Sequence, residues 1–332
     1  MFYFFRFGYA LLRFSVRLAW VRKKAQQHCT AFLQSFEKEH HMHFDAATFR
    51  KIVMSHSLYL PIVNDVFAAL HGRYTSHKEQ ESSIRYFIMA SVYDNFFDEG
   101  ALTPEQIRQI TFEPYHYPAA TADEIAGRAV HLYLLKEVKE QQGYKEAYTK
   151  MYEAQCDSKK QFDEQVSNEE LYSITTRKGG YSVLMCRYYL DVEASAAEEK
   201  CWYTLGSIIQ FTNDLYDIYK DLQSGIQTLP SRARKVDDVA ILYEQLIANL
   251  KNSIQLLPFS FSRKQEFSIG MAATYSFGLV AIDQLKRLQG TDDFLPDLRS
   301  IPRKALIVDM HKPANIWRWM KFCYRYSKLQ KN

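Results

Sequence analysis

The segment QFTNDLYDIYKD (residues 210–221) contains an asparagine and three aspartates among aromatic and aliphatic residues. Asn213, Asp217 and Asp221 stand at positions i, i+4 and i+8, so a helix would place all three side chains on one stripe. Like charges one turn apart destabilise an isolated helix by a few tenths of a kcal/mol per pair. Solvent on an exposed helix face could offset this repulsion, and so could a bound divalent cation.

A second acidic pair lies upstream, in the segment SVYDNFFDEG (residues 91–100). Asp94 and Asp98 are again four residues apart, near the end of a helix that Gly100 should stop. Carboxylates at the C-terminal end of a helix oppose the helix dipole. Two helices therefore each carry acids that violate a local preference, which is typical of functional sites.

Paired carboxylate stripes suit magnesium chemistry. Mg²⁺ takes carboxylate and amide oxygens and usually shares its coordination shell with substrate phosphates. Two opposed stripes could hold several Mg²⁺ ions on one diphosphate and assist ionisation of a C–O bond. A solvated helix face explains either pair alone, but the presence of both favours a metal site. We predict Mg²⁺ as the cofactor, with these catalytic ligands: Asp94, Asp98, Asn213, Asp217 and Asp221.

The second stripe resembles the NDxxSxxxE metal motif of class I terpene synthases, with Asp217 at the Ser position and Asp221 at the Glu position. The same segment also fits the second motif of squalene and phytoene synthases. The pair Asp94 and Asp98 is similar to the DxxxD motif of those head-to-head synthases. They usually carry Arg before the acid of the second motif, where this chain has Tyr216. The resemblance implies the isoprenoid synthase fold, with a second motif closer to that of a terpene cyclase.

The resemblance also implies residues that bind diphosphate. The segment TRKGGYSVLM looks like the helix break of class I synthases, which would make Arg177 and Lys178 diphosphate sensors. A plain turn between helices is the alternative. Lys220 is a further candidate ligand. Arg325 and Tyr326 resemble the Arg-Tyr pair that closes over diphosphate in cyclases, and a solvated basic helix is the alternative there.

Ionisation would leave an allylic carbocation, which must be kept from water and is stabilised by aromatic faces. The chain is rich in such side chains, since Phe, Trp and Tyr make up 15% of it. Three residues one or two helical turns from the acids are candidates to line the substrate pocket: Phe87, Ser91 and Gln210. Tyr181 could add a further aromatic face, although ordinary core packing would also explain all four.

Helical periodicity dominates the 332 residues, and Gly (12) and Pro (9) are too scarce for many tight turns. We predict one all-α domain spanning residues 1–332, a bundle of about ten helices around a central cavity. Pro61 should kink the second helix, and Gly179-Gly180 should break another. The predicted helices are 2–38, 46–71, 79–99, 122–141, 144–166, 168–190, 195–223, 236–257, 263–289 and 313–328.

Charge and cysteine content bear on the protein's partners and its cellular compartment. The formal charge of +4 and the absence of a zinc-type or aromatic-basic motif give no reason to expect a nucleic-acid partner. Five scattered cysteines without a CxxC pair predict reduced thiols in a cytoplasmic protein.

Residues 1–24 form a separate feature, an apolar aromatic segment that carries Arg6, Arg13, Arg17 and Lys24. On a helix these four cations fall within roughly 40° of one another. The arginines argue against a transmembrane span, and no signal-peptide cleavage site follows. The segment is either a first helix packed on the core or an interfacial helix on an anionic membrane.

Three functions remain open at this point. The leading hypothesis is a Mg²⁺-dependent terpene synthase, which ionises a long-chain prenyl diphosphate and releases diphosphate as it forms a cyclic or linear terpene. The second is a prenyl transferase of the squalene or phytoene synthase type. The third is a non-catalytic helical protein that binds lipid or acts as a scaffold.

Overall fold

The computed structural model describes residues 2–98 and 100–330, and all regular secondary structure in that part of the chain is helical. The prediction of an all-α protein is therefore confirmed. The helices are α1 Phe2–Glu39, α2 Ala46–Tyr59, α3 Asp65–Leu70, α4 His77–Asp98, α5 Pro104–Phe112, α6 Ala122–Glu137, α7 Gln141–Asp157, α8 Asn168–Arg187, α9 Ala196–Tyr216, α10 Ile218–Ser224, α11 Leu229–Arg232, α12 Val236–Gln255, α13 Phe261–Gln289, α14 Arg303–Leu306 and α15 Pro313–Tyr326.

The helices group into two compact units. The first unit contains the N-terminal residues up to Leu11, then Glu146–Arg187 and the chain from Glu193 onward. The second contains Leu12–Lys145 and Tyr188–Val192. A single domain over residues 1–332 stays a prediction.

The first unit is built around α9, which packs against α8, α12 and α13, while α15 packs against α13. Its largest buried side chains come from these helices, and they fill the space between them as a close-packed aromatic core: Trp202, Phe211, Tyr243 and Tyr275.

Glycines bring α8 and α9 unusually close together. A Cβ atom added to Gly179 would overlap the backbone carbonyl of Gly206, and one added to Gly206 would overlap the carbonyl of Gly179. A Cβ on Gly180 would enter the ring of Tyr203. Helix α8 runs without interruption through both glycines, so the predicted helix break is wrong. These glycines serve close helix packing and not a turn.

Capping residues set several boundaries. Thr121 and Ser195 are N-caps, because each side chain accepts a hydrogen bond from a backbone N–H in the first turn of its helix. Helix α5, which the predicted set of helices does not include, begins after Thr103. Thr103 forms a capping box with Gln106, and Pro104 occupies the first helical turn.

The second unit is organised by α4, which packs against α2 and α6. The chain between α2 and α3 stays helical through a π-helical segment, Leu60–Asn64, with Pro61 in its first turn. That Pro61 kinks the helix stays a prediction. Ala46–Leu70 is the one stretch of the described chain long and apolar enough to cross a membrane. Because 56% of its most apolar window is buried inside the protein, it packs as a core helix does.

Candidate functional site

The predicted metal stripe lies where α9 gives way to α10. Asp217 sits between the two helices with φ −95° and ψ 6°. Helical hydrogen bonding continues across it, since the N–H of Asp217 donates to the carbonyl of Asn213 and the N–H of Asp221 donates to that of Asp217, both at 2.8 Å. The side chains of Asn213, Asp217 and Asp221 therefore keep their helical spacing across the junction of α9 and α10. Asn213 and Asp217 are exposed, and Asp221 is buried.

Asp214 is a buried acid within the same segment that the predicted ligand set leaves out. The Thr175 hydroxyl on α8 donates to its Oδ2 at 2.8 Å, and Gln210 Nε2 donates to its Oδ1 at 2.9 Å. Burial, with a smaller contribution from the Asp217 carboxylate, raises the pKa of Asp214 to about 6, while the hydrogen bonds from Gln210 and Thr175 and the charge of Lys178 oppose the rise. Its position beside Asn213 in the motif was the signal that could have identified it.

Asp221 shows the strongest sign of crowded negative charge. Burial raises its pKa to about 7, and the carboxylates of Asp214 and Asp217 contribute in the same direction. Lys220 and a long hydrogen bond of 3.4 Å from the Thr228 hydroxyl act against the rise. We call Asp214, Asp217 and Asp221 the acidic cluster. Its members repel one another because their negative charges lie close together.

The donor set of the acidic cluster fits Mg²⁺, because it consists of carboxylate oxygens joined by the Asn213 amide. Its ligand atoms are not gathered tightly around one point. Within the described part of the chain, one set of three metal-type side chains has ligand atoms within 4.8 Å of one another, and that set is His28, His77 and Glu81 in the second unit. Mg²⁺ usually keeps several waters and shares its shell with substrate phosphate, so it does not need a closed protein cage.

The two predicted sensor residues on α8 face different partners. Lys178 lies near the acidic cluster, since its charge lowers the pKa of Asp214. Arg177 instead donates to the Asp157 carboxylate at 2.8 Å and to the Ser173 hydroxyl at 3.1 Å. The structure thus brings Lys178 and Lys220 to the cluster and pairs Arg177 with Asp157. A role in diphosphate binding stays a prediction for all three.

The predicted Arg-Tyr pair lies on α15. The Tyr326 hydroxyl donates to Glu244 on α12 at 2.8 Å, and the Arg325 guanidinium lies 5.6 Å from the centre of the Tyr326 ring. These contacts tie the pair to α12 and not to the acidic cluster.

The first stripe lies at the end of α4 in the second unit. Asp94 forms an ion pair with Lys51 at 3.0 Å, and Asp98 is exposed. Between them, Asn95 donates to the Asp123 carboxylate at 2.8 Å. Burial raises the pKa of Asp123, which is a further acid of this region that the sequence pattern did not reveal. That Asp94 and Asp98 face the acidic cluster stays a prediction.

The predicted pocket residues occupy different surroundings. Phe87 is buried, with its ring 5.1 Å from that of Tyr59, and Ser91 is buried on the same helix. Tyr181 is partly exposed and meets the Tyr203 ring edge-on at 5.1 Å. Gln210 has a distinct role, because it holds Asp214 in the acidic cluster.

A polar cavity of about 970 Å³ opens in the first unit beside α10 and α11. Leu222 and Gln227, next in sequence to Asp221 and Thr228, are part of its wall, which also carries Arg232, Tyr172 and Asn168 from other segments. The residues that form the acidic cluster do not line it.

The chain shows little similarity to known proteins. No protein-family model matches the chain, and no curated protein matches it. A solved structure described as a dehydrosqualene synthase in complex with ligand is similar over 83% of this chain and 96% of that chain, with 13% sequence identity and a TM-score of 0.44. A likeness of this degree carries no conclusion about activity, so the site is described by its own contacts.

Proposed function

We propose that this protein is a Mg²⁺-dependent enzyme that ionises a long-chain prenyl diphosphate and releases diphosphate as it forms a terpene. The observation that carries the proposal is the acidic cluster, where three carboxylates stand together on one side of α9 and α10 and burial raises the pKa of two of them. Such an arrangement costs stability unless a cation binds to it.

Each residue would have a defined task. Asn213, Asp217 and Asp221 would hold Mg²⁺ on one side of the diphosphate, and Asp94 with Asp98 would hold it on the other. Bound metal would draw negative charge onto the leaving group and so assist its departure. Thr175 and Gln210 would orient Asp214. Lys178 and Lys220 would bind the diphosphate.

Tyr216 supports a terpene synthase over a head-to-head transferase. It stands where head-to-head synthases usually carry Arg, and its hydroxyl donates to the backbone carbonyl of Phe277 on α13 at 3.4 Å. Tyr216 therefore offers no positive charge to a second diphosphate. A reaction that uses one prenyl diphosphate per turnover agrees with this better than a reaction that joins two.

The cysteines agree with a reduced, cytoplasmic protein, which we also propose. All five are free thiols, and four of them are buried. Burial raises the pKa of Cys29 to about 12, which keeps that thiol protonated and inert.

Product analysis tests the proposal. The purified protein is incubated with Mg²⁺ and prenyl diphosphates of increasing chain length, and the products are identified by mass spectrometry. A terpene formed from one substrate molecule is the expected result, and none should form with EDTA or in the Asp217→Ala variant. A product of doubled chain length would establish the transferase. An absence of turnover with every chain length would contradict both enzymatic functions.

A further inference from the structure

Helix α1 leaves a long apolar face uncovered. Five large side chains along it are each between 57% and 68% exposed, and their spacing keeps them within an arc of roughly 80° on the helix. From the first to the last the face is about 22 Å long, at 1.5 Å per residue. We call this set the apolar face: Phe5, Tyr9, Leu12, Val16 and Trp20.

The opposite side of α1 is also apolar, and it is buried. Phe7, Leu11, Val21 and Ala25 are all less than a tenth exposed. The helix therefore packs on the protein through one apolar side and presents a second one outward. Monomeric proteins seldom leave a contiguous apolar surface of this length without an interaction partner.

The basic residues of α1 flank this face. Two members of the predicted basic stripe are held by the protein, since Arg17 donates to Asp65 at 2.6 Å and Arg6 donates to the Ser262 hydroxyl at 2.8 Å. Lys24 lies 3.8 Å from the centre of the Trp20 ring, at the edge of the apolar face. The basic stripe therefore adjoins the exposed apolar face.

A basic cavity of about 1030 Å³ lies beside the first turns of α1, within the first unit. Four cationic side chains contribute to its wall, together with the Tyr3 ring. Glu266, 3.8 Å from Arg6, partly offsets their charge. We call the following four residues the basic cavity residues: Arg6, Lys251, Arg325 and Lys328.

Lys251 is a partly buried cation in the wall of this cavity. Burial lowers the pKa of the Lys251 amine, because its charge is partly withdrawn from water. An anion of the phosphate type within the cavity would relieve that cost and would be attracted by the three other cations.

We propose that the apolar face and the basic cavity together bind an anionic phospholipid membrane, with the apolar face in the interfacial region and one lipid phosphate group in the basic cavity. The surface of an anionic bilayer supplies an apolar layer and phosphate groups side by side, and the protein presents matching chemistry on one helix and the cavity next to it. The inference does not depend on catalysis.

Vesicle binding tests it. The full-length protein is sedimented with phosphatidylcholine vesicles and with vesicles that also contain phosphatidylglycerol, at several salt concentrations. We expect stronger binding to the anionic vesicles and a decline in binding as salt rises. In a Trp317→Phe background, which removes another exposed indole, Trp20 fluorescence should shift to the blue when these vesicles are added.

Two double variants separate the parts of the surface. Phe5→Gln with Val16→Gln should abolish the fluorescence shift, and Lys251→Gln with Lys328→Gln should weaken binding to anionic vesicles at least tenfold. The matched controls are Ile241→Gln, which alters an exposed apolar residue of α12, and Lys200→Gln with Lys286→Gln, which removes two exposed charges elsewhere. Circular dichroism must show that all variants remain folded.

Other results would overturn the proposal. Equal binding to neutral and anionic vesicles would do so, as would unchanged binding in both double variants. Glycerol phosphate that binds the cavity while vesicles do not would identify a site for a free phosphate ester. A dimer in sedimentation velocity that Phe5→Gln with Val16→Gln dissociates would show that a second copy covers the apolar face.

Discussion

Asp221→Asn should make the metal-free protein more stable at neutral and alkaline pH. The Asp221 carboxyl has its pKa raised from 3.8 to about 7, chiefly by burial and then by Asp214 and Asp217. One pKa unit corresponds to about 1.4 kcal/mol, so ionising this carboxyl costs the folded state about 4 kcal/mol at the most. Because Asp214 titrates in the same cluster and can take up part of the proton, we expect a net gain of about 1–3 kcal/mol.

The stabilisation by Asp221→Asn should depend on pH in a definite direction. A carboxyl whose pKa is raised on folding binds its proton more tightly in the folded state, so stability falls as pH rises from about 4 to about 7. Asparagine carries no titrating proton and removes this fall. The difference between Asp221→Asn and wild type should therefore be small at pH 4 and largest at pH 8.

Urea unfolding in EDTA at pH 4 and pH 8 measures the difference. The control is Asp293→Asn, which neutralises an exposed acid of the same unit and should change stability by less than about 0.5 kcal/mol. Asp221→Asn with a stability at pH 8 equal to or below that of wild type would refute the crowded-charge account of the cluster. With Mg²⁺ added at pH 8, wild type should gain stability and Asp221→Asn should gain less, since it lacks one ligand charge.

Three further predictions follow from other contacts. Gly206→Ala should destabilise the protein by about 3 kcal/mol or more, because the new Cβ meets the Gly179 backbone, whereas Gly8→Ala on open helix surface should be neutral or stabilising, as thermal melts will show. Asp217→Ala should nearly abolish turnover with unchanged helicity by circular dichroism; wild-type activity at saturating Mg²⁺ would remove Asp217 from the metal site. Although burial acts in the opposite direction, the pKa of the Glu79 carboxyl is lowered to about 2 by the Arg73 guanidinium and the N–H groups of Ser76 and Asp191. Glu79→Gln should therefore lower the free energy of unfolding by about 3 kcal/mol at pH 7. Urea unfolding should show this difference disappear as pH falls from about 4.5 to 2.

Local features of the structure were predictable from the sequence because their causes are local. Helix periodicity gave most helices, and the Thr121 and Ser195 caps act on backbone groups three residues away. The acid stripe at Asn213, Asp217 and Asp221 likewise depends only on helical spacing.

Features that depend on distant partners were not predictable in this way. Gly179 and Gly180 resemble a helix break in the sequence, and only the close approach of Gly206 on another helix shows that they serve packing. Asp214 is held by Thr175, which lies 39 residues away. The outward apolar face of α1 could not be distinguished from its buried side by periodicity, because both sides are apolar.

We propose above that the acids of α4 and those of α9 and α10 would bind one Mg²⁺–diphosphate together. Isothermal titration calorimetry with inorganic diphosphate, in Mg²⁺ and in EDTA, tests this without knowledge of the substrate. The account predicts binding that requires Mg²⁺ and that is lost in Asp94→Ala as well as in Asp217→Ala, while the exposed-acid control Asp293→Asn binds normally. Diphosphate binding that persists in EDTA, or that survives both Asp94→Ala and Asp217→Ala, would contradict it.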